Sequence, residues 1–202
     1  MNRRLGVLIS GRGSNLQAII DAIGAGRLDA TIAVVISNRA EAGGLARARS
    51  AGIETRHLDH RRHQRRADYD AALVAALRAR DVGLVCLAGF MRLLGPTVID
   101  AFPNAILNVH PSLLPAFPGL EAQRQAWEHG VTVAGATVHF VNADLDAGPI
   151  VAQAAVPVHD DDTPESLAGR ILIEEHRIYP EAIGRVLDGA WTVSGRRVKK
   201  TG

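Results

Sequence analysis

Three polar residues in this sequence have the types and spacing needed to catalyse acyl transfer to an amine. Asn108 and His110 close the apolar stretch 105–110, and Asp146 lies in a later loop braced by glycine and proline. Because residues two apart on a strand point the same way, Asn108 and His110 can enter one site. An amine attacking a carbonyl creates an oxyanion, to which Asn108 and a protonated His110 would donate hydrogen bonds. Asp146 would favour the charged form of His110 and accept a proton. Asn-x-His is equally compatible with two ordinary, satisfied polar side chains.

A glycine-rich loop at 10–15, with the sequence SGRGSN, follows the first apolar run and precedes a helical pattern. Its glycines let the backbone approach a ligand closely, and the helix start offers free N–H groups to an anion. The loop lacks the Lys-Ser/Thr ending of a nucleotide P-loop, and Leu16 stands where a dinucleotide-binding loop has its third glycine. These features favour a single phosphate over a nucleotide. A plain strand-to-helix turn capped by Ser14 or Asn15 remains the alternative.

Alternating hydrophobic patterns predict the elements that must position these residues. Short apolar, β-branched runs predict strands at 5–10, 31–37, 83–89, 105–110, 133–141 and 149–158. Apolar residues at helical spacing predict helices at 15–25, 42–51, 68–80 and 164–188. Thr163 and Pro164 suit the start of the last helix, which we expect to break near Pro180.

The order of these elements predicts an α/β fold, with an open, mostly parallel twisted sheet and helices on both faces. In such sheets ligands bind outside the carboxyl ends of the strands. The polar segments 10–15, 89–94 and 108–112 all fall at such ends, so we expect them to converge. No linker, repeat or low-complexity segment interrupts the chain, which predicts one domain over 1–202.

Composition argues against several classes of protein. The 202 residues contain 23 Lys and Arg and 21 Asp and Glu, which gives a net charge of +2. This near-balance is not the strong positive charge that is typical of nucleic-acid-binding proteins. No apolar run approaches the length needed to span a bilayer. The N-terminal sequence does not have the pattern of an export signal. The single cysteine, Cys86, lies in an apolar run and is expected to be buried and inert. These features predict a cytoplasmic protein that binds neither membrane nor nucleic acid.

Two further kinds of chemistry lack support in the sequence. His57, His60 and His63 are evenly spaced but lie among arginines without a thiolate or carboxylate cluster, so no metal site is expected. No Gly-x-Ser-x-Gly pattern is present to supply a serine nucleophile. The basic runs at 60–66 and 196–200 are interpreted as a solvated face and a short C-terminal tail.

Beyond these features, the sequence resembles the folate-dependent formyltransferases, and among them the phosphoribosylglycinamide formyltransferase family. The resemblance extends over nearly the whole chain, and its segments occur in the family's order. The matching segments are VLISGRGSNLQAII at 7–20, SNRAEAGGLARARSAGI at 37–53, LAGFMRLL at 87–94, LNVHPSLLPAFPG at 107–119, VHFVNADLDAGPI at 138–150 and EEHRIYP at 174–180.

The resemblance implies a role for each matching position. Asn108, His110 and Asp146 correspond to the family's catalytic trio. Substrate binding is implied for Gly13, Ser14, Asn15, Leu16 and Gln17, at the phosphate, and for Glu175, at the ribose. Folate binding is implied for Arg66, Met91, Arg92, Leu93, Leu94, Asn108, Asn142, Ala143 and Asp144. The phosphate-binding part would then cover about 1–100, and the folate and catalytic part about 84–190.

The implied activity is transfer of a formyl group from 10-formyltetrahydrofolate to the amine of phosphoribosylglycinamide, without a metal, by a monomer or homodimer. Two departures from the family pattern leave the trio intact, although the first weakens the expectation that side chains at 121–123 assist the transfer. Glu121, Ala122 and Gln123 stand where close relatives often carry histidines, and Leu172 replaces a polar substrate contact of some relatives.

Three alternatives remain at this point. Formyltetrahydrofolate deformylase shares the trio but has an extra N-terminal domain, whereas the first predicted strand here begins near residue 4. Methionyl-tRNA formyltransferase has a further C-terminal domain, whereas about a dozen residues follow the last predicted helix. A phosphate- or nucleotide-binding module without chemistry would not need His110 and Asp146 together.

Overall fold

The computed structural model describes residues 2–201, and all of its strands belong to one nine-stranded sheet. The order across the sheet is β3-β2-β1-β4-β5-β6-β7-β9-β8. The strands are β1 (Arg4–Ile9), β2 (Thr31–Ser37), β3 (Thr55–His57), β4 (Leu84–Leu87), β5 (Ile106–His110), β6 (Val133–Phe140), β7 (Ile150–Pro157), β8 (Trp191–Ser194) and β9 (Arg197–Lys200).

The first five strands form a parallel half, with β1 between β2 and β4 and with β5 on the far side of β4. The apolar runs of β1, β2, β4 and β5 lack an alternating polar face because parallel strands of this kind are buried on both sides; all four residues of β4 are buried. The carboxyl ends of β1, β4 and β5 therefore meet at one edge of the sheet. The open, mostly parallel sheet expected from the sequence is confirmed.

Antiparallel strands continue the sheet beyond β5. β6 pairs with β5 so that Asn108 lies opposite His139 and His110 lies opposite Thr137, and β7 then pairs with β6. The loop between β6 and β7 then folds back, so that Asp146 lies 3.5 Å from His110 at the end of β5. This pairing places Asp146 beside residues that precede it by more than thirty positions.

In the described part of the chain, six α-helices connect or cover the strands: α1 (Ser14–Gly24), α2 (Gly43–Ser50), α3 (Arg66–Arg78), α4 (Pro96–Ala101), α5 (Ala122–Glu128) and α6 (Pro164–Leu187). The short β3, α4 and α5 were not predicted, because each is too brief to show a clear period. No helix within residues 2–201 is both long enough and apolar enough to cross a membrane.

The expected break of α6 near Pro180 is wrong, since the helix runs through the proline to Leu187. A proline inside a helix removes one backbone hydrogen bond. Neighbouring residues of α6 are anchored in the core: Tyr179 is fully buried, and its hydroxyl lies 3.0 Å from the carbonyl oxygen of Leu87 and 3.1 Å from that of Leu107. Packing against two strands thus holds the helix in place where its backbone bonding is weakest.

The basic C-terminal segment is not a tail, and this prediction is also wrong. Residues 191–200 form the β8–β9 hairpin, in which β9 extends the sheet beside β7. Trp191 provides the anchor: its ring lies 4.9 Å from that of Phe140, and its indole N–H donates to the carbonyl of Val186. In β9 the exposed basic residues flank the half-buried Val198, so that side chain can pack while the charges stay in water.

Candidate active site

His110 is the buried end of β5, and both of its ring nitrogens face oxygen atoms. Nε2 lies 2.8 Å from the carbonyl oxygen of Phe117. Because a carbonyl can only accept, Nε2 must carry a hydrogen. Nδ1 faces Oδ2 of Asp146 at 3.5 Å. A hydrogen on Nδ1 would make that nitrogen a donor as well, directed at the carboxylate and at any oxyanion beside it.

Asp146 reaches the site from the β6–β7 loop, and it does so in an unusual backbone conformation. Its φ is 50°, in the left-handed region that non-glycine residues seldom adopt. Oδ2 accepts a 2.8 Å hydrogen bond from the backbone N–H of Gly119, and Oδ1 lies 3.7 Å from Nε2 of His139. The carboxylate is thus held by the backbone of another loop, between two imidazoles.

His139 is a member of this cluster that sequence reasoning missed. Its Nδ1 donates to the carbonyl of Phe140 at 2.9 Å, which leaves Nε2 as an acceptor 3.3 Å from Nδ2 of Asn108. Burial lowers the pKa of His139, in keeping with a neutral ring. The ring therefore occupies one N–H of the Asn108 amide and leaves the other for a ligand. The sequence carries no signal for this residue, because only the antiparallel pairing of β5 with β6 brings His139 opposite Asn108.

The glycine loop starts α1 without a side-chain cap. Gly13 is the N-cap, at φ 74°, and no side chain caps the helix, so the alternative of a Ser14 or Asn15 cap is wrong. A Cβ on Gly13 would lie 2.5 Å from Cα of Gly44, at the start of α2. The amide of Gly44 in turn donates to the carbonyl of Gly11 at 3.1 Å. The tight turn is thus required by packing, and the first N–H groups of α1 stay open to a ligand.

Glu175 joins this loop from α6, 160 positions away along the chain. Nδ2 of Asn15 donates to its carboxylate at 2.6 Å, and Oδ1 of Asn15 is buried without a partner. Burial raises the pKa of Glu175 to about 7, opposed by the hydrogen bond from Asn15. A buried acceptor and a protonatable carboxylate therefore lie side by side next to the glycine loop.

The other two residues expected at the phosphate are placed differently. The side chain of Leu16 is fully buried in the core, so only its backbone could contact a substrate. The side chain of Gln17 turns along α1, where Nε2 donates to Asp21 at 2.8 Å. Its Oε1 lies 3.4 Å from the guanidinium of Arg47. A binding role for the Leu16 side chain is thus excluded by its position.

Four of the expected folate positions, residues 91–94, form a loop after β4. Met91 and Leu93 are 64% and 63% exposed and present apolar surface beside the end of β4, whereas Leu94 is buried. The loop is tied to the glycine loop by a 2.9 Å bond from the Met91 N–H to Oγ of Ser10. Arg66 supports it from α3 by donating to the carbonyl of Leu93 at 2.7 Å.

Arg92 is directed away from this apolar surface. Its guanidinium carbon lies 5.3 Å from the centre of the Tyr69 ring, against which His60 and His63 also pack edge-on. Part of the basic run 60–66 is therefore packed rather than fully solvated. On the other side of the site, Asn142 turns the β6–β7 loop by accepting from the Asp144 N–H at 3.2 Å, and Ala143 lies between them.

Comparison with known proteins agrees with this arrangement. Residues 3–183 match the family model described as formyl transferase. The chain is 46% identical to phosphoribosylglycinamide formyltransferase of Escherichia coli K12, over 91% of this chain and 86% of that protein. It is 47% identical to human trifunctional purine biosynthetic protein adenosine-3 over 92% of its own length, but it spans only 18% of that relative.

Solved structures give the same result. The crystal structure of glycinamide ribonucleotide transformylase 1 from Symbiobacterium toebii superposes with a TM-score of 0.97 at 59% identity. The alignment covers 100% of this chain and 95% of that one. Phosphoribosylglycinamide formyltransferase from Anaplasma phagocytophilum gives a TM-score of 0.91 at 45% identity, covering 100% and 96% of the two chains. On sequence and on fold alike, the chain belongs to the formyl transferase family.

Proposed function

We propose that the protein is a phosphoribosylglycinamide formyltransferase. It transfers the formyl group of 10-formyltetrahydrofolate to the amine of N1-(5-phospho-D-ribosyl)glycinamide, giving the N2-formyl product and tetrahydrofolate in purine (IMP) synthesis. The observation that carries the proposal is the position of His110, between the Phe117 carbonyl and the Asp146 carboxylate at the edge where β5 ends. The names of the relatives support this choice of substrates.

The proposed reaction is a direct transfer through a tetrahedral intermediate. The amine attacks the formyl carbon, forming a C–N bond and placing negative charge on the formyl oxygen. The free N–H of Asn108 and the imidazolium of His110 donate to that oxygen. When the intermediate collapses, its bond to N10 of the folate breaks. Asp146 accepts the proton lost by the amine, directly or through water, and passes it by the same route to N10 as N10 leaves.

We place the substrate along the sheet edge and the folate across it. The phosphate lies at the Gly13–Asn15 backbone, with Glu175 at the ribose, in the part covering about 1–100 together with α6. A flat pterin needs an apolar slot with a few backbone partners. The exposed Met91 and Leu93, with the loop 142–146 opposite, supply such a slot in the part covering about 84–190.

The proposal includes the protein's setting. We infer one catalytic domain over 1–202, acting in the cytoplasm as a monomer or homodimer on two small molecules. Neither nucleic acid nor membrane takes part, and the chemistry described uses no metal.

An assay of the donor tests the function. Release of tetrahydrofolate from 10-formyltetrahydrofolate is followed by absorbance, with and without phosphoribosylglycinamide. We expect turnover that requires the amine and a formylated product in equal amount. Equal rates without the amine would identify a deformylase instead, and absence of turnover with tight phosphate binding would identify a binding module.

Gly13→Ala should raise KM for phosphoribosylglycinamide at least tenfold, on the order of 1.4 kcal/mol or more, with little change in KM for the folate. The added Cβ would collide with backbone of α2 and is strained at positive φ, so the loop must move. Gly26→Ala is the matched control, since Gly26 has φ 67° but open space around it. Steady-state kinetics of both variants measure the effect. If the two behave alike, the loop does not hold the phosphate.

Arg66→Ala should weaken folate binding modestly, by on the order of 1 kcal/mol or less, because Arg66 is half-exposed. The loss combines the support of the Leu93 carbonyl with attraction for the folate's carboxylates. Arg65→Ala is the control, since Arg65 is paired with Asp68 at the start of the same helix. Fluorescence titration at low and high salt compares the two. If Arg66→Ala binds folate as tightly as Arg65→Ala does, the folate tail does not lie at Arg66.

A further inference from the structure

One short backbone segment holds both ionisable members of the trio. The carbonyl of Phe117 accepts from Nε2 of His110 at 2.8 Å, and the N–H of Gly119 donates to Oδ2 of Asp146 at 2.8 Å. These two backbone groups are separated by a single residue, Pro118. The relative placement of the two side chains therefore depends on the conformation of residues 117–119.

That conformation is one that the sequence does not favour locally. Phe117 has φ 50°, although large side chains are strained in the left-handed region. The residue before a proline normally adopts an extended backbone, which adds to the strain before Pro118. Strained residues of this kind persist only where the surrounding structure enforces them, and they concentrate at functional sites.

The surroundings of Phe117 do enforce this conformation. The hydroxyl of Ser112 donates to the carbonyl of Ala116 at 2.6 Å, and the hydroxyl of Thr137 in β6 donates to the carbonyl of Ser112 at 2.7 Å. On the other side, the ring of Phe117 packs at 5.2 Å against the ring of His129 at the end of α5. The turn is thus held at its beginning by the sheet and at its tip by a helix.

We propose that Phe117 is a positioning residue whose left-handed backbone orients the imidazole of His110. Its carbonyl keeps the hydrogen on Nε2, which leaves Nδ1 as the nitrogen that meets Asp146 and the formyl oxygen. The 3.5 Å separation of Nδ1 from the carboxylate is longer than an ordinary hydrogen bond, so the reacting atoms can share this side of the ring. The effect on catalysis rests on the proposed function, whereas the position of the hydrogen on the His110 ring does not.

Two substitutions of Phe117 separate a backbone role from a packing role. Phe117→Gly removes the ring but permits positive φ, whereas Phe117→Val keeps an apolar, β-branched side chain that opposes it. If the backbone matters, valine should lower kcat roughly 10- to 100-fold, as expected for a misplaced catalytic group. Glycine should stay closer to the wild type, and KM should change little in both. If only apolar packing mattered, glycine would be the more damaging change.

The ¹⁵N NMR signals of His110 provide a readout that needs no turnover. We expect a hydrogen on Nε2 in the wild type and in Phe117→Gly, and a mixture of ring states in Phe117→Val. Asp81→Val is the matched control, because Asp81 has φ 53° in the turn before β4. It should lower stability without changing kcat or the His110 signals. If Phe117→Val does not fold, Phe117→Leu replaces it in the comparison. We still expect Phe117→Leu to have a lower kcat than Phe117→Gly.

The inference is overturned if Phe117→Val keeps both wild-type kcat and the Nε2 hydrogen. It is also overturned if Phe117→Gly loses as much kcat as Phe117→Val while the signals of His110 stay unchanged, since the ring alone would then matter. The proposed function can fail independently: a protein without formyl transfer would still show the His110 signals and their dependence on residue 117.

Discussion

Asp146→Asn should lower kcat by at least about 10²–10³-fold, the range found when an oxyanion-stabilising group is lost. Asparagine retains the size of the side chain and an oxygen that can accept from the N–H of Gly119. It lacks the negative charge that faces Nδ1 of His110 at 3.5 Å, and it cannot take a proton from the amine. Because two contributions to the transition state disappear together, the loss should equal or exceed that of Asn108→Ala. KM for phosphoribosylglycinamide should change little, since these groups act mainly on the transition state.

Single-turnover and steady-state kinetics measure this effect, with Asp160→Asn as the control for loss of one exposed carboxylate before α6. Asp160→Asn should behave as the wild type. Thermal unfolding of all variants shows whether Asp146→Asn is folded. Near wild-type kcat in a folded Asp146→Asn protein would contradict the assignment of Asp146 as the proton acceptor.

The parallel half of the fold could be predicted because its signals are local. Helical patterns separate the apolar runs of β1, β2 and β4 along the chain, and the handedness of such crossovers leaves few arrangements. The same reasoning anticipated that the glycine loop, the 91–94 loop and His110 would lie at one edge of the sheet. The structure brings them together there, linked by the bond from Met91 to Ser10.

Features that depend on pairing between distant strands could not be predicted. His139 contributes to the site only because β6 lies antiparallel to β5 in one register, in which His139 is opposite Asn108. Nothing in the residue types around His139 indicates that register. The basic residues 196–200 were interpreted as a tail for a related reason. The alternation of half-buried and exposed residues in β8 gains its meaning only from a distant contact, that of Trp191 with Phe140.

Backbone conformation was the other feature that could not be predicted from the sequence. The left-handed Phe117 is not the glycine, asparagine or aspartate that usually marks such a position. Asn15 looked like a helix cap because its residue type favours caps, but tertiary contact with Glu175 prevailed over that local preference. In each case a contact between distant segments determines the conformation, and the local sequence carries no trace of it.

Glu175→Gln should make the folded protein more stable at pH 8, by up to about 3 kcal/mol, and should reduce the decline in stability between pH 5 and pH 8. Burial raises the pKa of Glu175 from its ordinary value of 4.5 to about 7 in the folded protein. The folded state therefore holds this proton more tightly than the unfolded chain does. The resulting stabilisation is complete below about pH 4.5 and is lost as the pH rises through 7, because a buried charge must then form.

Glutamine avoids that charge and can still accept from Nδ2 of Asn15, so the variant should gain most above pH 7 and nothing near pH 4.5. The opposite is expected for binding, since an ionised carboxylate accepts hydroxyl hydrogen bonds more strongly than an amide does. KM for phosphoribosylglycinamide should therefore rise in Glu175→Gln. Urea unfolding at pH 5, 6, 7 and 8 measures the stability of each variant. Glu174→Gln is the control, because Glu174 is the neighbour of Glu175 in the sequence but is paired with Arg177 near the surface. Parallel stability profiles for wild type and Glu175→Gln would show that the buried carboxyl does not titrate in this range.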